Sequence, residues 1–158
     1  MLNDVTGFRG EKMVELCLTD FQAFPSPLFR PGFLGDKWPA VDFYVELATA
    51  QGQGMYFLGQ AKSSSKGLSN RARVLSISTK ARDIQRLLQI PAPTYIFGVH
   101  EPTQRVFARS VHSGGANTIS SIPLTHVLNA VNLQQLHDEV VSHWQAQTAS
   151  KPTTSAFA

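Results

Sequence analysis

From Val41 to Leu47 apolar and polar residues alternate without a break: Val41, Phe43, Val45 and Leu47 fall on one face, Asp42, Tyr44 and Glu46 on the other. A period of two marks a half-buried strand. The Gln51-Gly52-Gln53-Gly54 turn after it predicts that residues 55–62 return as its antiparallel partner. The same period puts Gln60 and Lys62 on one face of the second strand. If Asp42 stands opposite Gln60, an acid, an amide and an amine share that face; a slip of one residue would turn Asp42 to the other side.

Around this hairpin the chain reads as mixed α/β. Met13, Val14, Cys17, Leu18 and Phe21 recur at helical spacing, with Thr6 available as an N-cap, and predict a helix over 6–22. On that helix Glu11 borders the buried stripe and Glu15 looks outward, roughly 90° and 130° from its centre. Residues 23–40 hold Pro25, Pro27, Pro31, Gly32, Gly35 and Pro39 and read as an ordered connection with one short strand near 28–33. A polar loop over 63–70 precedes a helix over 79–89 with Ile84, Leu87 and Leu88 inward. Strands come next at 95–99 and 105–111, then a Gly/Ser loop over 113–121. Helical sequence from 124 to 146 can cover the sheet with Leu128, Val131, Leu136, Val140 and Trp144, and Asn132 can cap a second segment there. The expected organisation is one domain over 1–146, since 158 residues leave no room for a second, with a disordered Ala/Ser/Thr/Pro tail over 147–158.

Composition narrows the chemistry. The net charge of +3 divides unevenly: residues 1–61 carry four Lys/Arg against seven Asp/Glu, and residues 62–109 carry nine against two. An acidic part suited to a cation thus adjoins a basic part suited to a polyanion, a pairing that fits phosphodiester chemistry, although surface Lys and Arg also serve solubility. No apolar run approaches a membrane span and the N-terminus lacks a signal-peptide core, so a soluble, cytoplasmic protein is expected. The single cysteine, Cys17, excludes an internal disulfide and a multi-thiolate zinc site, and its place on the apolar helix face predicts an inert buried thiol. The five histidines show no zinc-binding spacing and read as surface or strand-end residues. Walker A, GxGxxG and GxSxG motifs are missing from the sequence.

The order helix, strand, strand, strand, helix, strand, with Pro39-Ala40-Val41-Asp42 heading one strand and Gln60-Ala61-Lys62 on the next, resembles the PD-(D/E)xK nuclease superfamily. The Gln variant is similar to the branch related to methylated-DNA restriction enzymes and to small uncharacterised prokaryotic domains of that superfamily. The likeness spans roughly residues 6–111 and takes in Pro91-Ala92-Pro93. It implies a restriction-endonuclease-like αβββαβ core, a mixed central sheet flanked by helices, with a C-terminal helix added. It also implies a metal-dependent nuclease acting on nucleic acid, DNA before RNA, in prokaryotic defence, recombination or repair. By this resemblance Asp42 is the principal ligand of Mg²⁺ or Mn²⁺, Glu11 binds directly or through water, Gln60 offers its amide oxygen, and Lys62 orients the attacking water. The amide at Gln60 removes one negative charge, which weakens metal affinity and leaves open a catalytically inactive nucleic-acid-binding or complex-assembly module on the same fold.

Lys66, Arg71, Arg73, Lys80, Arg82 and Arg86 come after the Gln-x-Lys strand and are the expected phosphate-backbone contacts. The Ser63-Ser64-Ser65 run reads either as a phosphate-contacting loop or as an ordinary turn. Asp36 reads as a loop cap or salt-bridge partner, and Glu46, two strand positions from Asp42, either as an assistant to it or, more simply, as the exposed partner of a nearby lysine. Ordinary structural roles stay open for each residue: a strand-end carboxylate for Asp42, a solvated helix position for Glu11, backbone satisfaction for Gln60, a strand terminus for Lys62. No base-reading element is visible, so a protein partner is the expected source of specificity; a homodimer is also expected from the resemblance, because one active site cuts one strand.

Overall fold

The computed structural model describes residues 2–66, 68–147 and 154–156, with side chains from Asp4 onward. The expected tail over 147–158 falls for the most part outside the described residues. The architecture is a five-stranded mixed sheet with three helices, α1 (Leu2–Leu18), α2 (Ala81–Gln89) and the C-terminal α3 (Ala130–Ala146). The strands are β1 (Phe29–Phe33), β2 (Phe43–Leu47), β3 (Tyr56–Ser64), β5 (Thr94–His100) and β6 (Arg105–Val111), in the order β1-β2-β3-β5-β6; β4 (Val74–Ser76) and β7 (Ser121–Pro123) form a separate antiparallel ribbon. Every neighbour pair in the large sheet is antiparallel except β3–β5, which is parallel and encloses the crossover through α2. No described helix is long and apolar enough to cross a membrane.

Period two divides the core into two layers. Phe43, Val45, Leu47, Phe57, Tyr95, Phe97 and Val99 meet Val14 and Leu18 of α1 and Leu133, Leu136 and Val140 of α3 on one face. Leu58, Ile96 and Phe107 meet Ile84 and Leu87 of α2 and Leu75 and Ile122 of the ribbon on the other. Because both faces are covered, β5 is buried along its whole length. Its Gly98 admits the ribbon: a β-carbon there would lie 2.8 Å from both Ile122 Cδ1 and Leu75 Cδ2.

Several boundaries differ from those the sequence predicts, each for a local reason. The first helix starts near Leu2 and ends at Leu18, where Thr19 Oγ1 donates to the Glu15 carbonyl and Asp20 accepts from the Gln22 N–H. Thr6 therefore lies inside the helix, and Phe21 lies beyond it, 53% exposed. Leu88 is exposed because Asp83, with Ile84 and Leu87, occupies the buried stripe of α2. The last helix begins only at Ala130, after a 3₁₀ turn over Leu124–His126: Asn129 is the cap, accepting from the Asn132 N–H, while the Asn132 side chain donates to the Thr125 and Val127 carbonyls. Val131 is consequently outward and Leu133 inward. The ribbon strands, three residues each, are too short for alternation to declare them. His100 and His137 are buried: His137 lies within α3 and shares a hydrogen bond with Thr49 Oγ1, so it is neither a surface nor a strand-end residue. Cys17 is half-buried rather than fully buried as expected, its Sγ donating to the Leu128 carbonyl, and burial pushes its thiol up to about 12.

The docking of α1 on β3 sets the helix against the strand that carries Gln60 and Lys62. Ser63 Oγ donates to the Thr6 carbonyl at 3.1 Å, and a β-carbon on Gly10 would collide with that same Ser63 side chain. Gly10→Leu should therefore lower stability by about 1–3 kcal/mol in urea unfolding through overpacking. Gly7→Ala, where nothing lies within 4 Å of the added carbon, should be neutral or gain up to about 1 kcal/mol from helix propensity. Equal losses in both variants would mean that α1 does not dock through Gly10.

Candidate active site

The strand β2 is entered through Ala40, a non-glycine residue at φ +66, a conformation that costs about 1–2 kcal/mol and has to be held by its surroundings. The hold is visible on both sides of Asp42. The Val41 N–H donates to the Trp38 carbonyl at 3.3 Å, the Leu34 N–H to the Asp42 carbonyl at 2.8 Å, and the Asp42 N–H to the Gly59 carbonyl at 2.9 Å. The paired residues end at Phe43–Gly59, and the Asp42 N–H turns to that same Gly59 carbonyl; Val41 packs in the layer of Leu58 and Ile96, away from Phe43, Val45 and Leu47, so the alternation expected to run from Val41 breaks at Asp42. The Asp42 carboxylate then accepts the Ala61 N–H at 2.7 Å, which anchors it across the hairpin. The ladder continues on the far side of β3, where Gln60 pairs with Ile96 and Lys62 with Gly98.

Burial and charge at this point are unusual for a strand end. The Asp42 carboxyl is raised above the ordinary aspartate range, first by burial and further by Asp36 and Asp83; the Ala61 hydrogen bond and the Lys62 charge oppose the rise. Glu11, half-buried on α1, is raised by its own burial and then by the charges of Asp42 and Asp36. The Gly10–Ser63 contact one residue away presses α1 onto β3 and so brings Glu11 within electrostatic reach of Asp42. Gln60 is 5% exposed, and its Oε1 is buried without a hydrogen-bond partner. Lys62 is half-buried and forms no salt bridge among the described residues. The four residues singled out by the sequence thus gather at the junction of α1, β2 and β3.

Among the candidate residues, the one buried oxygen without a hydrogen-bond partner is the Gln60 amide. An amide oxygen sealed from water with no partner costs free energy, of order 1–3 kcal/mol, and a cation held by Asp42 and Glu11 would satisfy it. Among the described residues no three His, Cys, Asp or Glu side chains form a metal-binding group. Mg²⁺ commonly keeps several waters and needs few protein ligands.

Two acids take roles that the sequence does not announce. Asp36 forms no hydrogen bond or ion pair as cap or bridge among the described residues; its charge falls on Glu11 and Asp42. Asp83, 9% exposed in the first turn of α2, adds its charge from the other side and lies 3.7 Å from Arg82 Nε. Its signal was an acid four residues before Leu87 on the apolar stripe. Glu46 instead pairs with Arg30 across the β1–β2 ladder at 3.7 Å, an arginine in place of the expected lysine. Ser63 and Ser64 belong to β3, one bonded to Thr6 and the other buried, so neither forms a loop for phosphate.

Lys66, Arg71, Arg73, Lys80, Arg82 and Arg86 are all exposed. They line the path from the end of β3 through the ribbon to α2, and only Arg82 has an acidic partner within 4.0 Å among the described residues. The recess between β5, β6 and α3, lined by Tyr95, His126, Leu136 and Glu139, contains none of the candidate residues.

The raised carboxyls have a consequence for stability. Because the folded state holds the protons of Asp42 and Glu11 more tightly than the unfolded chain does, their contribution is fully present below the unfolded carboxylate range and is lost as pH rises through the raised folded values. At neutral pH, in EDTA, the two charges therefore cost stability. Thermal unfolding of Asp42→Asn and Glu11→Gln should show melting temperatures above wild type at pH 7, with the advantage vanishing toward about pH 4. Variants that melt below wild type at neutral pH would contradict this. No family model, curated protein or solved structure matches the chain, so the reading of the site rests on its own residues.

Proposed function

We propose that this protein is a metal-dependent nuclease of the restriction-endonuclease-like, PD-(D/E)xK type that hydrolyses phosphodiester bonds in DNA. The observation that carries the reading is the Asp42 carboxylate held on the Ala61 N–H, between Gln60 and Lys62 in β3, with the Gln60 amide oxygen buried without a partner. The element order supports it: a helix bearing Glu11, three antiparallel strands, a crossover helix and a strand parallel to the third. The run of exposed Lys and Arg beside the site suits a phosphate backbone.

Asp42, Glu11 and Gln60 would hold Mg²⁺ or Mn²⁺, which when bound supplies Lewis-acid polarisation of the phosphate and a lowered pKa for a coordinated water. Lys62 would hydrogen-bond the attacking water and meet the negative charge that builds on the phosphoryl oxygens. The water oxygen bonds to phosphorus, the bond to one sugar oxygen breaks, and that oxygen takes up a proton. Ala61, through its N–H, fixes the orientation of the Asp42 carboxylate, so the anion does not have to be organised during the reaction. A homodimer would supply the second active site that a double-strand cut needs, and a protein partner could supply targeting, in the cytoplasm and in a defence, recombination or repair setting.

A second reading, a catalytically inactive nucleic-acid-binding or complex-assembly module, is favoured by the neutral amide at Gln60 and by the lack of a third carboxylate ligand among the described residues. Cleavage of plasmid, linear and single-stranded DNA in Mg²⁺, Mn²⁺ or EDTA separates the two. Under the nuclease reading, cutting requires metal and falls about 10²- to 10³-fold or more in Asp42→Ala and Lys62→Ala. Binding without cutting, unchanged in Asp42→Ala, would establish the second. Under either, replacing Arg71 and Arg73 with Ala should weaken DNA binding and reduce the salt slope by about one for each lost phosphate contact. An unchanged slope would remove those two residues from the interface.

A further inference from the structure

Two large aromatic side chains stand uncovered beside Asp42. Trp38, four residues before it, is 57% exposed, and Tyr44, two residues after it, is 38% exposed. Neither is loosely attached. The Trp38 carbonyl accepts the Val41 N–H, which ties it to the strained approach at Ala40. Tyr44 lies two residues beyond Asp42 in the chain, and its ring stacks on Tyr56 with centroids 5.1 Å apart and planes 30° apart. Tyr56 is backed in turn by Trp144 at 4.9 Å. Opposite Tyr44 on β1 stands Gly32, which has no side chain to lay over that ring.

We infer that Trp38 and Tyr44 are stacking platforms for unpaired bases, and that the substrate presented to Asp42 and Lys62 is single-stranded DNA or the single-stranded portion of a larger DNA. This rests on the nucleic-acid reading of the site and specifies its substrate class. A duplex shows a protein only base edges and backbone, whereas an unpaired base offers a π-face that an exposed indole or phenol can cover. Charge selects the occupant. Lys62 forms no salt bridge among the described residues, and the exposed Lys66, Arg71 and Arg73 follow the strand that carries it; exposed cations together with exposed aromatic rings suit a polyanion carrying aromatic bases.

Tryptophan fluorescence tests this without requiring turnover. The chain has two tryptophans, and Trp144 is half-buried with its Nε1 donating to the Tyr56 carbonyl, so it serves as an internal reference. With wild-type protein in EDTA at low salt, an oligothymidylate of about 20 nucleotides should quench the emission, and the same length of blunt duplex should quench it far less. Trp38→Ala should abolish the quenching and weaken single-strand binding about tenfold, with Trp38→Phe restoring most of the affinity. Equal quenching by duplex, quenching that survives in Trp38→Ala, or no response to either DNA would overturn the inference. Metal-dependent cutting of duplex without single-strand quenching overturns the inference and leaves the nuclease reading standing. Trp38-dependent quenching without any cutting supports the inference and removes the nuclease reading.

Discussion

The pairing of β2 with β3 at the Asp42 end is the contact on which the site depends. Two hydrogen bonds close it, one from the Asp42 N–H to the Gly59 carbonyl and one from the Ala61 N–H to the Asp42 carboxylate. They fix register and side-chain direction together. Moving β2 by one residue would break both bonds and would also lift Phe43 and Val45 out of the layer they share with α1 and α3. Burial of those side chains therefore enforces the register that the polar residues need, and the polar cluster does not have to supply its own stability.

That division of labour matters because the cluster is costly. Asp36 adds its charge to both Glu11 and Asp42, Asp42 to Glu11 and Asp83 to Asp42; burial raises both Glu11 and Asp42, and Gln60 hides an unpartnered oxygen. A structure selected only for stability would not gather such groups, and strain and unsatisfied polarity concentrated in one place are the usual marks of a site built for a ligand. The apolar layers on both faces of the sheet offset the cost. Lys62 and the Ala61 N–H are the compensating elements within the cluster itself.

The parts of the fold governed by short-range periodicity were legible. Alternation revealed β2 and β3, helical spacing revealed α1, α2 and α3, and β6 spans the residues expected. What failed to show was either too short to be periodic, as in β4 and β7, or settled by a side chain competing for backbone groups. Thr19 and Asp20 end α1 earlier than its apolar pattern suggests. The sequence predicts a division of the C-terminal helical stretch at Asn132, but Asn129 is the cap that starts α3 after a 3₁₀ turn, with the Asn132 side chain bonded back to that turn. Asp83 was hidden because an acid on a helix is ordinarily solvated, and its burial comes from how α2 rotates to seat Ile84 and Leu87.

By itself the sequence determined that Gln60 and Lys62 share a face and that Asp42 lies close to them, because side-chain direction along a strand is a local steric property with a period of two. Tertiary structure alone decided that Glu11, Asp36 and Asp83 join them, since these acids arrive from α1, a connecting turn and α2 by packing between residues distant in sequence. The approach of Glu11 depends on Gly10 fitting against Ser63, 53 positions later in the chain. No local pattern encodes such a fit, because it is the mutual shape of two elements that positions them, and that shape exists only once both are folded.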